Sequence, residues 1–279
     1  MFTYQEKVGG MNLMVADYLD LGEFANDFNK RKFGNRPFDV RWAGGDEHSL
    51  NRGCTSGDEH YAERAAKLVD KIANLTIQDY DVTLEWNESF GELDYEAAMA
   101  GEVECCYGPT IDLTEKSPVN IYLDMWTLWS IPTDMMMRRG VAMLALVQAL
   151  SVFRPVNAYA VSPLRHWQKD KDVLQVLRLP TNPMDISRAS WAIASPVTFR
   201  VGFQTLLLEI LRTNTYDSLP MLSNDAWQKN KLGDWLANRD GVKDVVHLGP
   251  MMTADARWES DESALAWVKS QVARFVEAV

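Results

Sequence analysis

Apolar residues recur in two different periods along this chain, and the alternation between them predicts an α/β fold. Val119–Met125 is a near-continuous apolar run, the pattern of a strand buried on both faces. Pro132-Thr133-Asp134 can cap a helix from about Met135 to Phe153, whose apolar face is carried by Val141, Leu144, Ala145, Val147 and Leu150 and which Pro155 ends. Val156–Val161 and Asp172–Leu179 predict two further strands. Asp185–Ala194 and Pro196–Leu211 predict helices divided at Ser195-Pro196, Val242–Leu248 a last strand, and Glu262–Val279 an amphipathic helix.

The first hundred residues are less regular. Asn12–Phe28 carries Leu13, Val15, Ala16, Leu19, Leu21 and Phe24 as a loose helical stripe, and Lys30–Gly57, rich in Gly, Asn, Arg and Asp, reads as a loop. Asp58 opens a helix with Ala62, Ala65, Ala66, Val69 and Ile72 at helical spacing. Asp79–Trp86 alternates as a strand, Asp94–Ala100 is a short helix stopped by Gly101, and Cys105–Pro109 is a turn. The order of elements predicts a mixed, mostly parallel sheet covered by helices, Rossmannoid in type, over residues 113–279. An α-rich region with a short strand is expected over residues 1–112.

Composition narrows the function classes. The chain has 279 residues, 47% hydrophobic and 24% charged, so it can build a full core without disulfide or metal staples. Its longest apolar run, Val141–Leu150, is too short to span a bilayer, and Met1–Lys7 lacks the basic start and apolar stretch of a secretory signal. A cytoplasmic protein is expected. Three cysteines, with Cys105 and Cys106 adjacent, give no disulfide framework and read as reduced thiols. A net charge of −11 disfavours a nucleic-acid backbone, because such affinity rests on clustered Lys and Arg, and Lys30-Arg31-Lys32 is the longest basic run.

Candidate chemistry is sparse. The chain has no glycine-rich dinucleotide or phosphate loop, no nucleophile elbow and no His-Glu-x-x-His. Asp46-Glu47-His48 and Asp58-Glu59-His60 form a doubled triplet around Cys54, in which Asp46, His48, Asp58 and His60 could hold a divalent cation and support hydrolysis. The competing reading is an acidic, solvated helix entrance at Asp58. His247, within Val245–Leu248, reads as a satisfied strand histidine, and His166 as a loop residue between Arg165 and Trp167. Asp124 ends the apolar strand, where open α/β sheets bind ligands, and a following helix N-terminus would favour its ionised form. Met125, Trp126, Leu128, Trp129, Ile131 and Met135–Met137 surround that strand end. They form a partner-binding patch if exposed and an internal interface if the N-terminal region folds over them.

From about Ser117 onward the order of elements resembles a von Willebrand factor A-type domain, in which an apolar strand ending in Asp leads through a ligand loop into a long helix. Metal-binding members hold a hard cation with an Asp-x-Ser-x-Ser loop, a Thr and a further Asp. Here the loop is Asp124-Met125-Trp126-Thr127-Leu128, so an indole and an isobutyl group stand where the hydroxyls would be. Thr127, Ser130, Thr133, Asp134 and Asp185 are the remaining oxygen donors. The strings Trp42–Leu50, Met99–Cys105, Arg138-Arg139-Gly140 and Leu179–Asp185 resemble a phage-encoded family of unknown function associated with AAA ATPase and von Willebrand factor A partners.

The expectation is therefore a non-enzymatic phage adaptor without a required cofactor. It would act in the host cytoplasm on a phage or host protein through Asp124, Trp126, Trp129, Arg165, His166 and Trp167. The alternatives are a single-stranded nucleic-acid-binding accessory that stacks bases on Trp126, Trp129 and Trp167, and a metal-dependent hydrolase at the doubled triplet.

Overall fold

The apolar run at Val119–Asp124 forms the strand it predicts, with all six residues buried. The computed structural model describes residues 2–8, 11–30, 49–67, 84–87, 92–101, 106–109, 117–127, 130–151, 153–166, 171–181, 184–198, 231–251 and 253–276, with residues 70, 202, 203 and 206. In chain order the elements are β1 (Phe2–Val8), β2 (Met11–Tyr18), α1 (Leu21–Asn29), α2 (Ser49–Ser56), α3 (residues 59–67), β3 (Leu84–Asn87), β4 (Glu92–Leu93), α4 (Tyr95–Ala100) and β5 (Cys106–Pro109). Then follow β6 (Val119–Asp124), α5 (Thr133–Ser151), β7 (Val156–His166), β8 (Lys171–Arg178), α6 (Ile186–Ala194), α7 (Lys231–Asp240), β9 (Asp244–Leu248) and α8 (Asp261–Val276).

A six-stranded sheet runs β1-β2-β8-β7-β6-β9, and β3-β5-β4 forms a small antiparallel sheet. In the large sheet β2–β8, β6–β7 and β6–β9 are parallel, whereas β1–β2 and β7–β8 are antiparallel. The fold is the expected mixed α/β sheet covered by helices. It draws strands from both sides of the 112/113 position.

Alternation along the strands divides the core into two layers. Ile121, Leu123, Ala158, Ala160 and Leu177 face α5, whose Met136, Met143, Leu144, Val147 and Leu150 are buried there together with parts of α1, α6 and α8. Tyr122, Val161, Leu174 and Val176 point the other way and meet Leu232, Trp235 and Leu236 of α7. A polar network fixes α7 to that face. Asn120 Nδ2 donates to Asp240 Oδ2 at 3.0 Å, the Tyr122 hydroxyl bonds the same oxygen, and Arg239 donates to Asp17 Oδ1 at 3.1 Å.

Four sequence expectations change. Asn12–Phe28 is not one helix but β2 followed by α1. Leu13, Val15, Ala16 and Tyr18 are buried on both faces of β2, which imitates a helical stripe, and Asp20 then caps α1 by accepting from Glu23 N at 2.8 Å. The loop expected over Lys30–Gly57 contains α2, which holds its shape through contact: Gly53 lies against the Trp191 indole and Arg188 Nε donates to the Cys54 carbonyl at 2.7 Å. Cys106–Pro109 is a strand rather than a turn, because β3 and β4 pair with it on either side. β7 extends to His166, so Arg165 and His166 are strand residues paired with Asp172 and Lys171 rather than loop residues.

Candidate functional site

The chain leaves β6 through α5 to reach the parallel β7 on one side, and returns through α7 on the opposite face to pair β9 on the other. The C-terminal ends of β6 and β9 therefore lie side by side at one end of the sheet, the end at which α/β folds place their ligand sites. Asp124 ends β6 there and is 1% exposed. Its Oδ1 accepts from the Trp126 N–H at 2.8 Å, a tight turn at the strand end. Met251 N then donates to the Trp126 carbonyl at 3.1 Å, and Thr127 bridges Met251 in parallel fashion, so the loops after the two strands are zipped together.

Arg139 reaches the same strand ends from α5. It is 1% exposed, and its Nη2 donates to the Leu248 carbonyl at 2.7 Å and to the carbonyl of Gly249. Among the described residues its Nη1 has no hydrogen-bond partner, nor has the buried Nε2 of His247. Arg139 and Asp124 interact through space without a direct hydrogen bond; Arg139 is the built-in counter-charge of a buried carboxylate.

Burial dominates the electrostatics. It raises the Asp124 carboxyl to about 7, against the lowering effects of the Trp126 N–H and of Arg139. Burial lowers Arg139 to about 10, with Asp124 pulling the other way. Burial and then Arg139 lower His247 to about 4, so its imidazole is neutral at physiological pH. The expectation that a helix N-terminus keeps Asp124 ionised is overturned: α5 begins only at Thr133, and removal from water outweighs the local donors.

These shifts have opposite consequences for stability. The Asp124 pKa is raised above its ordinary 3.8, so its contribution is fully present below that pH and is lost as pH rises through about 7. The His247 pKa is lowered from 6.5, so its contribution is present above 6.5 and is lost as pH falls through about 4. Between those limits the two slopes offset. Asp124→Asn keeps an acceptor for the Trp126 N–H and removes one slope. It is expected to steepen the rise of stability from pH 4 to 6.5 by about 1 kcal/mol per pH unit relative to the parent. Urea unfolding at several pH values reads this directly, and parallel curves for parent and variant would contradict it.

The other described residues proposed from sequence lie beside Asp124, at the end of β7 and at the start of α3. Trp126 is partly buried, while Met125, Ile131, Met135, Met136 and Met137 are buried, so this part of the apolar patch is internal. Arg165 and His166 lie near the end of β7. Trp129, Trp167, Asp46 and His48 lie outside the described residues. Asp58 and His60 are exposed; Asp58 Oδ1 accepts from His60 N at 3.0 Å and its carbonyl from Ala62 N at 3.0 Å, the geometry of a helix cap. Cys54 beside them is a buried thiol pushed up to about 12 by burial, which makes it inert. Among the described residues no three His, Cys, Asp or Glu side chains lie together as a metal ligand set. Asp124 is followed by Met125 and Trp126, which offer a hard cation no side-chain oxygen.

Sequence reasoning missed Arg139. Its signal is a charge inside the stripe Met135–Leu150, flanked by Met136, Gly140 and Met143, where an apolar residue would normally sit.

No curated protein and no solved structure matches the chain. A family model matches residues 4–218, which takes in Asp124 and Arg139 and stops before α7, β9 and α8. The chain belongs to this family, whose description is a domain of unknown function (DUF7192).

Proposed function

We propose that the protein is a non-enzymatic interaction module that docks a partner protein on the sheet edge above Asp124, with Trp126 as the anchor. The observation that carries this reading is the mounting of Trp126. Its backbone is held on one side by Asp124 Oδ1 and on the other by Met251 N, and its side chain is half-exposed. A backbone fixed before binding loses little freedom on docking, and aromatic side chains dominate interface energetics. The groups beneath it are committed inward: Arg139 serves carbonyls of the β9 end and Asp124 is buried, an arrangement suited to shape rather than to turnover.

A strand ending in Asp124 that leads by a short loop into the long α5 supports a degenerate von Willebrand factor A-like reading. On that reading the partner is a phage or host protein of the cytoplasm, with an AAA ATPase or a von Willebrand factor A protein as the candidates. Among the described residues no helix is long and apolar enough to cross a membrane. The test is capture from phage-infected cells with the parent and with Trp126→Ala. One or more phage or host proteins should be retained by the parent and depleted at least tenfold by Trp126→Ala, at unchanged melting temperature, a loss of about 1.4 kcal/mol or more. Equal capture by both proteins would remove Trp126 from the interface. Salt-sensitive binding of single-stranded nucleic acid by the parent would favour the accessory-factor reading instead.

A further inference from the structure

At the opposite border of the large sheet, β1 pairs with β2 alone among the described strands. Its seven residues keep an unbroken antiparallel register, Phe2 opposite Asp17 through Val8 opposite Met11, and Phe2–Glu6 are exposed. An edge of this kind carries a row of free N–H and C=O groups, which sheets usually blunt with a bulge, a proline or a very short strand. β1 has no bulge, no proline and ordinary length, and of the charged residues that also blunt an edge it carries Glu6 and Lys7. Exposed apolar side chains also gather there. Phe2 is 63% exposed and Tyr4 37%, and Leu19, just past the end of β2, is 54% exposed.

We propose that β1 pairs antiparallel with β1 of a second copy of this chain, about a two-fold axis at Gln5, joining the two large sheets into one. A two-fold axis normal to the sheet preserves its faces, so a residue can lie opposite only residues of its own face. Centred on Gln5, residues 2–8 meet residues 8–2 and all seven positions are used. Tyr4 then lies opposite Glu6, Thr3 opposite the position of Lys7, and Phe2 opposite that of Val8. Centring on Tyr4 sets Phe2 against Glu6 and leaves two positions unpaired. Centring on Glu6 opposes two carboxylates, which disfavours that register.

In that register all seven positions pair, Phe2 meets the position of Val8 and no like charges oppose, a match that a second copy supplies by symmetry and a foreign peptide would have to supply by its own sequence. A seven-residue strand pair is a small interface, at the low end near about 1,200 Å² in total, so association in the micromolar range is expected. The net charge of −11 on each copy opposes it, and added salt should tighten it. β1 is four strand steps from β6, about 19 Å, so this contact is independent of the docking edge at Trp126.

Sedimentation of the full chain from about 10 µM to about 200 µM, at low and high salt, should show monomer passing to dimer, more readily at high salt. Gln5 residues on the axis would have Cα atoms about 5 Å apart, within disulfide reach, whereas Thr3 residues would be about 13 Å apart or more. Mild oxidation should therefore crosslink Gln5→Cys into a covalent dimer and leave Thr3→Cys and the parent uncrosslinked; both positions are exposed, so neither change disturbs the core. A monomer at every concentration, the outcome if the edge serves an extended peptide of another protein, overturns the proposal. So does a dimer that Gln5→Cys crosslinks no better than Thr3→Cys.

Discussion

Arg139→Leu is expected to destabilise the protein by about 3 kcal/mol at pH 8 and by about half as much at pH 5. The loss has two sources with different pH dependence. One is constant: the Leu248 carbonyl, and in part that of Gly249, lose a charged donor at the end of β9, and a buried acceptor left unpaired costs about 1–3 kcal/mol. The other belongs to Asp124. In the parent its carboxyl titrates at about 7, so at pH 8 it is ionised and steadied by Arg139. Without the guanidinium it retreats to the protonated form, at a cost of about 1.4 kcal/mol for each pH unit above 7.

At pH 5 the proton is already present in the parent, and this second loss vanishes. Chemical denaturation at the two pH values separates the sources, and an equal loss at both would show that the two residues are not coupled. Adding Asp124→Asn to Arg139→Leu should recover the pH-dependent share alone, which makes the pair a double-mutant cycle with a sign fixed in advance.

How much of this was visible in the sequence depends on where each residue's partner lies along the chain. β6 and α5 were legible because local signals suffice: an apolar run for the strand, then a long apolar stripe closed by Pro155. α6 was legible for the same reason, since Asp185 accepts from Arg188 N at 3.0 Å, as its place before a helical pattern implies. β2 was misread because a strand buried on both faces loses its two-residue alternation, and Leu13, Val15, Ala16 and Tyr18 then mimic a helix. α2 was invisible, since what holds it, Trp191 on Gly53 and Arg188 on Cys54, comes from α6, more than a hundred residues later.

The candidate site divides along the same line. Asp124 could be named from its place at a strand end, while for Arg139 the sequence shows only a charge inside an apolar stripe; the carbonyls that explain its burial belong to β9 and to the residue just after it. The elevated carboxyl follows from that same tertiary burial and not from anything adjacent in sequence. Local patterning located the strand end; its electrostatics are a product of the fold.

Gly140→Ala is expected to cost about 3 kcal/mol even though alanine is the better helix former by about 1 kcal/mol. A Cβ built at Gly140 would lie 2.2 Å from the Ile193 carbonyl oxygen and 2.7 Å from its carbon, both of them backbone atoms of α6. No rotamer change relieves a clash with main chain, so the crossing of α5 and α6 must widen, and both helices carry buried residues such as Leu144, Ala192 and Ile193 through the same core. Widening there also draws on α2, which rests on Trp191 of α6.

Gly233 is the matched control. It too sits inside a helix, α7, but its added Cβ would come no closer than 3.4 Å to the His247 Cβ, an ordinary contact with a side chain. Gly233→Ala should therefore leave stability unchanged or raise it by up to about 1 kcal/mol, the propensity gain that Gly140→Ala cannot realise. Thermal or urea unfolding of the two variants side by side separates helix propensity from helix contact. If Gly140→Ala melts with the parent, the close approach of α5 and α6 at this residue is not what holds the helical layer together.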